Sequence, residues 1–287
     1  MLMRTSFGEV AYEVRGQGPP MLLLCANGHD RHAFDAVMPE LARRFRTVAV
    51  DWPGMGESPA LTTTTPASAP MMADLIEELV AGLALGPAVI IGNSIGGFAA
   101  LRLAARRPEL VRALVVVNSG GFSPVNWFTR AFCWLKGQRW FTRLCGRAFA
   151  AAYLKQRNPH VADILARIDA ARRRDDYLAV ETAIWRNFPR PDNDVRAEAA
   201  RVRCPTLLVW GRHDPVIRAR VEGKIAQRAM PHASYVEIDS GHVPFAEAPE
   251  AFLGAALPFL AAALPLQDAA LPLQDAALPL PVSRTPS

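Results

Sequence analysis

The stretch VIIGNSIGGFAA, residues 89–100, decides the fold class of this chain. It opens with three β-branched apolar residues, which are typical of a buried strand. Gly-x-Ser-x-Gly follows at 92–96, and apolar residues then recur at helical spacing from Phe98 onward. The pattern predicts a strand, a tight turn that carries Ser94, and a helix that begins after the serine and stops near residue 106.

Apolar runs and helical patterns alternate along most of the chain. Further strands are predicted at 7–14, 21–26, 47–51, 111–118, 205–210 and 234–238. Further helices are predicted at 33–44, 72–85, 217–230 and 249–260. This alternation predicts an α/β fold with a doubly wound, mostly parallel sheet and helices on both faces.

Polar residues follow four of the predicted strands: Asn27-Gly28-His29, Ser94, Asp214 and His242. Because ligands bind beyond the carboxyl ends of strands in such sheets, we expect these residues to share one edge. A serine hydroxyl becomes a good nucleophile when a base removes its proton and a carboxylate orients that base. The three residue types needed are present in the order Ser94, Asp214, His242.

The motifs GNSIGG (92–97), GRHDPV (211–216) and SGHVPF (240–245), in this order, resemble those of the α/β-hydrolase fold superfamily. The likeness runs from residue 5 to about residue 262. It implies that Ser94 is the nucleophile, His242 the general base and then acid, and Asp214 the orienting carboxylate. It also implies an oxyanion hole built from the main-chain N–H groups of Ile95 and His29.

The chain departs from the family at one motif, since Asn27-Gly28 stands where the family usually has His-Gly after its third strand. The main-chain donor of that loop is retained, but the shape and polarity of the loop are changed. We expect the substrate pocket to include residues from this loop, the serine turn, the insertion and the histidine loop: Asn27, Gly28, Asn93, Trp127, Trp185 and Val243.

Residues 122–200 form an insertion that is rich in aromatic residues and predicted to be a helical cap. The core is then 1–121 and 201–263. Lys and Arg outnumber Asp and Glu by 14 to 8 in the insertion. A basic excess of this kind is usual for a solvated face, but it also suits an acidic carrier or an anionic membrane surface. A seven-residue Leu-Pro-Leu-Gln-Asp-Ala-Ala unit repeats in 264–287, which predicts a disordered tail.

The predicted function is hydrolysis of a small-molecule ester with an apolar acyl or aryl group, through an acyl-enzyme on Ser94. The Gly-Asn-Ser-x-Gly-Gly motif also resembles carbon–carbon hydrolases of vinylogous diketones. Thioester hydrolysis and acyl transfer would use the same three residues, and a ligand-binding or scaffold homologue is the non-enzymatic alternative. Haloalkane dehalogenases and epoxide hydrolases carry aspartate where Ser94 stands. We expect no metal, no cofactor, no nucleic-acid partner and a cytoplasmic location.

Overall fold

The computed structural model describes residues 1–264. The repeat tail predicted for 264–287 lies, apart from Leu264, outside the described residues. No helix among residues 1–264 has the length and apolar character needed to cross a membrane.

One eight-stranded sheet forms the centre of the described chain, in the order β1-β2-β4-β3-β5-β6-β7-β8. The strands are β1 (Leu2–Thr5), β2 (Gly8–Arg15), β3 (Pro20–Leu24), β4 (Arg46–Val50), β5 (Ala88–Asn93), β6 (Val111–Val117), β7 (Thr206–Gly211) and β8 (Ser234–Ile238). Pairing is antiparallel among β1, β2 and β4, and parallel from β4 through β3 to β8. The predicted fold class is therefore confirmed.

Helices connect the parallel strands and cover the sheet. They are α1 (Met38–Ala42), α2 (Ala69–Gly82), α3 (Ile95–Arg106), α4 (Trp127–Lys136), α5 (Arg139–Tyr153), α6 (Pro159–Ala171), α7 (Asp175–Asn187), α8 (Arg196–Ala199), α9 (Lys224–Ala229), α10 (Pro244–Glu247) and α11 (Pro249–Ala263). Every residue of β5 and β7 is buried, because helices pack on both faces of these central strands.

Most predicted elements differ from the observed ones by a few residues at their ends, and three predicted helices begin at another residue or are divided. The helix expected at 33–44 is a 3₁₀ turn, Arg31–Phe34, followed by the short α1, because Pro39 can stand only in the first turn of a helix. Helix α2 begins three residues earlier than expected, since the Ser68 side chain accepts a hydrogen bond from Met71 N and caps it. The region expected to be one helix at 217–230 is a π-helical turn, Ala219–Gly223, that continues into α9.

The segment between β6 and β7 contains α4 to α8, and α7 lies against the loops that follow β3 and β4. Tyr177 Oη donates a hydrogen bond to Gly28 O at 3.2 Å, and Asn27 Nδ2 donates to Glu181 O at 3.2 Å. Arg174 Nη1 donates to Gly56 O at 2.9 Å. These contacts attach the inserted helices to the carboxyl edge of the sheet, where the predicted site residues lie.

Candidate active site

Ser94 occupies the turn between β5 and α3, with φ 57° and ψ −112°. Residues other than glycine seldom adopt this backbone conformation, and the small neighbours Gly92 and Gly96 leave the space that it needs. A β-carbon on Gly92 would lie 2.4 Å from Gly96 O, and one on Gly96 would lie 2.4 Å from Leu24 O. The Gly-x-Ser-x-Gly spacing is therefore a steric requirement of this turn.

Asp214 follows β7 and is buried, and its carboxylate accepts hydrogen bonds from two side chains and two main-chain amides. His242 Nδ1 and Asn118 Nδ2 each lie 2.6 Å from Oδ2. Val216 N and Ile217 N donate to Oδ1 at 2.8 and 3.1 Å. Four donors leave the carboxylate one orientation, in which it contacts the histidine ring.

His242 follows β8 and is held by its own backbone as well as by Asp214. Its N–H donates to Tyr153 O at 3.0 Å, and its carbonyl accepts from Asn93 Nδ2 at 3.1 Å. The Tyr153 ring packs edge-on against the imidazole, with the ring centroids 5.3 Å apart. Because Asp214 occupies Nδ1, the other ring nitrogen, Nε2, is available for proton transfer.

A buried glutamate joins the histidine loop to the end of α5. Glu247 Oε2 accepts from Gly241 N at 2.9 Å and from Lys155 N at 2.6 Å, and its Oε1 accepts from Val243 N at 2.9 Å. One carboxylate thus serves amides from both sides of the junction between the sheet and the inserted helices.

A cavity of about 580 Å³ lies between the sheet edge and the inserted helices, and both Ser94 and His242 line it. Ser94 Oγ makes no hydrogen bond with residues 1–264, and the hydrogen bonds of active-site hydroxyls often form only with substrate present. Of the other residues predicted to form the site, Asn27, Gly28, Ile95 and Trp185 also line the cavity. Its walls are largely apolar and aromatic, including Phe98, Phe128, Phe132, Phe149, Tyr153, Ile184 and Phe188.

Three residues predicted for the pocket do not line the cavity. Asn93 is fully buried, and its side chain binds the carbonyls of Val117 and His242. Trp127 is 80% exposed on the outside of α4, and Val243 is buried in the core beyond the histidine. The Asn93 side chain therefore holds the backbone at Val117 and His242 in place. Trp127 lies on the face of α4 that is turned away from the cavity.

The structure gives the main-chain N–H of His29, the predicted oxyanion donor, a partner within its own loop. Its N–H closes a turn by donating to Ala26 O at 3.2 Å, and the residue does not line the cavity. Asn27 lines the cavity, and within residues 1–264 its main-chain N–H donates no hydrogen bond. Because β3 pairs in parallel with β5, with Leu24 beside Gly92, the backbone after Leu24 runs next to Ser94. Ile95 N–H, at the first position of α3, has no intrahelical acceptor.

The His29 imidazole is buried beside the site. Its Nε2 lies 2.7 Å from Tyr153 Oη, and its Nδ1 has no partner among the described residues. Burial, aided by the nearby charge of His242, lowers the pKa of His29 from 6.5 to about 3. The ring is therefore neutral at physiological pH.

The sequence analysis did not identify two features of the site. One is Asn118, which follows β6 at φ 39° and binds both Asp214 Oδ2 and, through its own Oδ1, Gly211 N at 2.9 Å. An asparagine directly after a strand, at a position suited to the left-handed region, was the available signal.

The other is a buried ion pair on the cavity wall. Lys136 Nζ lies 3.1 Å from Glu181 Oε1 and 4.4 Å from the centre of the Phe149 ring. Glu181 also accepts from Trp185 Nε1 at 3.0 Å and Thr142 Oγ1 at 3.0 Å. Both charged side chains are at most 5% exposed.

Within residues 1–264, no three His, Cys, Asp or Glu side chains are grouped as metal ligands.

Known proteins resemble this chain over most of its length. A family model described as alpha/beta hydrolase fold matches residues 19–249. The chain is 29% identical to a pimeloyl-[acyl-carrier protein] methyl ester esterase of Chromobacterium violaceum, over 85% of this chain and 94% of that protein. It is 30% identical to the protein of the same name from Nitrosomonas europaea, over 84% and 95%. A crystal structure of a hydrolase from Pseudomonas aeruginosa PA01 superposes with a TM-score of 0.75 and 26% identity, over 91% of this chain and 98% of that one.

Proposed function

Because this chain belongs to the α/β-hydrolase fold family, we propose that it hydrolyses carboxylic esters through a covalent acyl-enzyme on Ser94. The chain is a hydrolase by family, and the relatives named as methyl ester esterases support an ester as the substrate. The observation that carries the proposal is the 2.6 Å contact of His242 Nδ1 with buried Asp214, while His242 and Ser94 line one apolar cavity.

In the proposed reaction, His242 Nε2 takes the proton of Ser94 Oγ as the oxygen attacks the ester carbonyl carbon. The N–H groups of Ile95 and Asn27 receive the oxyanion; Asn27 replaces His29 in this role because the His29 amide is already bonded. Asp214 orients the imidazole and stabilises its cationic form. His242 then protonates the departing alcohol, which leaves the acyl group on Ser94.

Deacylation repeats these steps with water. His242 Nε2 removes a proton from a water molecule as the water oxygen attacks the acyl-enzyme carbonyl carbon. Collapse of the second tetrahedral intermediate breaks the bond to Ser94 Oγ, which recovers its proton from His242. The products are a carboxylic acid and the alcohol, and the enzyme returns to its starting state.

The apolar walls support an acyl or aryl group of low polarity, and we assign the inserted segment 122–200 the role of a cap that supplies these walls and excludes water. A panel of aryl esters of increasing acyl length, tested beside a ring-fission diketone, separates the ester hydrolase from the carbon–carbon hydrolase. Turnover of the diketone alone would reject the ester assignment.

A fluorophosphonate probe tests the nucleophile directly. We expect the folded protein to be labelled, Ser94→Ala to abolish labelling, and Ser123→Ala, which changes another serine of the same cavity, to leave it intact. Labelling that survives Ser94→Ala, or no labelling of the folded protein, would contradict the proposal. The second of these results would favour the ligand-binding or scaffold alternative.

A carrier-bound or thioester acyl group is a second candidate substrate, because the curated relatives are named for an acyl-carrier-protein ester. Hydrolysis or transfer of such a group would use the same residues. Comparison of kcat/KM for a free methyl ester, the same acyl group on an acidic carrier, and its thioester decides between them. A preference for the carrier-bound ester that disappears at high salt would support a charged contact with the carrier.

A further inference from the structure

The outer surfaces of α4 and α5 expose an unusual concentration of large apolar side chains. Most of the large hydrophobic side chains that are exposed within residues 1–264 lie on these two helices or just before α4: Val125, Trp127, Phe128, Trp134, Trp140 and Leu144. Trp127 and Phe128 are 80% and 64% exposed, and Trp134 is 64% exposed. Both helices pack on α7, so their other faces are turned outward. Exposed aromatic residues at this density mark a binding surface.

The charges on the same helices have one sign. The span from Trp127 to Tyr153 contains no Asp or Glu, and Arg130, Arg139, Arg143 and Arg147 are exposed. Within residues 1–264, Arg143 pairs with Asp175 of α7, whereas Arg130 and Arg139 form no ion pair. Tryptophan and arginine together suit the interface of a bilayer, where the indole has an apolar body and a polar N–H and the guanidinium meets lipid phosphate.

The cavity that holds Ser94 opens beside this surface. Phe128 both lines the cavity and is largely exposed, and its neighbours Pro124, Asn126 and Thr129 line the cavity as well. An apolar molecule dissolved in a membrane could therefore enter the cavity from the face that carries the exposed aromatic residues.

We propose that the exposed faces of α4 and α5 dock on an anionic bilayer surface, so that the enzyme takes its ester from the lipid phase. Docking itself stands on the surface alone, whereas the identity of the cargo rests on the proposed ester hydrolysis. Membrane contact of this kind is peripheral and reversible, with the aromatic side chains at headgroup depth and the arginines against phosphate.

Vesicle flotation tests docking with the full-length protein. We expect binding to vesicles of equimolar phosphatidylglycerol and phosphatidylcholine at about 50 mM salt, weaker binding at about 500 mM, and little binding to pure phosphatidylcholine. Tryptophan emission should shift to shorter wavelength on binding. Trp127→Ser/Trp134→Ser and Arg130→Glu/Arg139→Glu should each weaken partitioning about tenfold or more.

Two controls separate docking from folding and catalysis. Arg201→Glu/Arg228→Glu makes the same change in net charge on exposed arginines outside α4 and α5 and should bind vesicles as the unaltered chain does. The tryptophan variant and the arginine variant of α4 and α5 should both keep the kcat/KM of the unaltered chain on a short, water-soluble aryl ester. Hydrolysis of that ester without vesicle binding would overturn the docking inference alone, and vesicle binding without hydrolysis would overturn the proposed function alone.

An acidic carrier protein is the competing partner for this surface. Loss of carrier binding in the arginine variant, with unchanged carrier binding in the tryptophan variant and no flotation of the unaltered chain, would replace the bilayer by the carrier. Flotation that neither variant reduces would also refute the assignment to α4 and α5.

Discussion

Substitution Lys136→Met removes one partner of the buried ion pair on the cavity wall, and we expect it to cost about 3–5 kcal/mol of stability. Methionine keeps most of the volume of the lysine stem, so little of the loss comes from packing. The cost arises because the Glu181 carboxylate stays buried with only Trp185 Nε1 and Thr142 Oγ1 as donors. In a domain of this size the loss corresponds to a fall in Tm of roughly 6–20 °C.

The second variant of the pair isolates this cause. In the Lys136→Met background, Glu181→Gln removes the unpaired charge and should recover at least about 2 kcal/mol. Glu181→Gln alone should lower the free energy of unfolding by less than Lys136→Met does. The Lys136 ammonium would still contact the aromatic rings of Phe149 and Trp185, whose centres lie 4.4 and 5.5 Å from Nζ.

Urea unfolding at neutral pH, monitored by tryptophan fluorescence, gives the four free energies of this cycle. A cost below about 1 kcal/mol for Lys136→Met, or no recovery on adding Glu181→Gln, would refute the reasoning.

Three further outcomes are expected. The pKa of His29 is about 3 in the folded chain and near 6.5 in the unfolded chain, so between these pH values the unfolded state binds one more proton. The free energy of unfolding should therefore fall by about 1.4 kcal/mol for each unit by which the pH drops through this window. Urea unfolding of His29→Gln, repeated over the same pH range, should lack this decrease. Asn118→Ala removes a charge-assisted hydrogen bond to Asp214 and should lower kcat on an aryl ester about 10- to 100-fold with little change in KM; an unaltered kcat would show that Asp214 needs no such support. Gly92→Ala places a β-carbon 2.4 Å from Gly96 O and should lower stability by at least about 1–3 kcal/mol, as measured by thermal unfolding, whereas Gly254→Ala on α11, with open space around it, should not.

Much of the fold was predictable because its signals are local. The apolar run before Gly92, the glycine spacing around Ser94 and the helical pattern after it each restrict the backbone within a few residues. The position of Asp214 beside His242 follows from strand order, since the carboxyl ends of parallel strands meet at one edge. Strand β1 was missed because four residues with half-exposed side chains carry little periodic signal.

The details of the cavity depend on contacts between distant residues and were not predictable from local pattern. Lys136 and Glu181 are 45 residues apart, and their pairing depends on how α4 packs on α7. The aromatic content of the insertion indicated an apolar wall but not which rings form it. Phe132 and Lys136, four apart, share the inner face of α4, and Phe128 lies at the edge of that face. Trp127 and Trp134, seven apart, share the outer face.

The alternative bonding of the His29 amide, predicted as an oxyanion donor, has a local cause that composition does not reveal. A single backbone hydrogen bond from His29 N to Ala26 O closes the turn and removes that amide from the site. The amide that remains belongs to Asn27, two residues earlier.

The hydrogen bonds of Tyr153 O and Glu247 across the boundary of the inserted segment limit how that segment can move. The end of α5 shares its bonding with the loop that carries His242, so neither can shift without breaking these hydrogen bonds or carrying the other with it. A segment grafted from a relative to alter selectivity would have to bring a matching junction, because a poorly matched one would displace His242 along with the cavity walls.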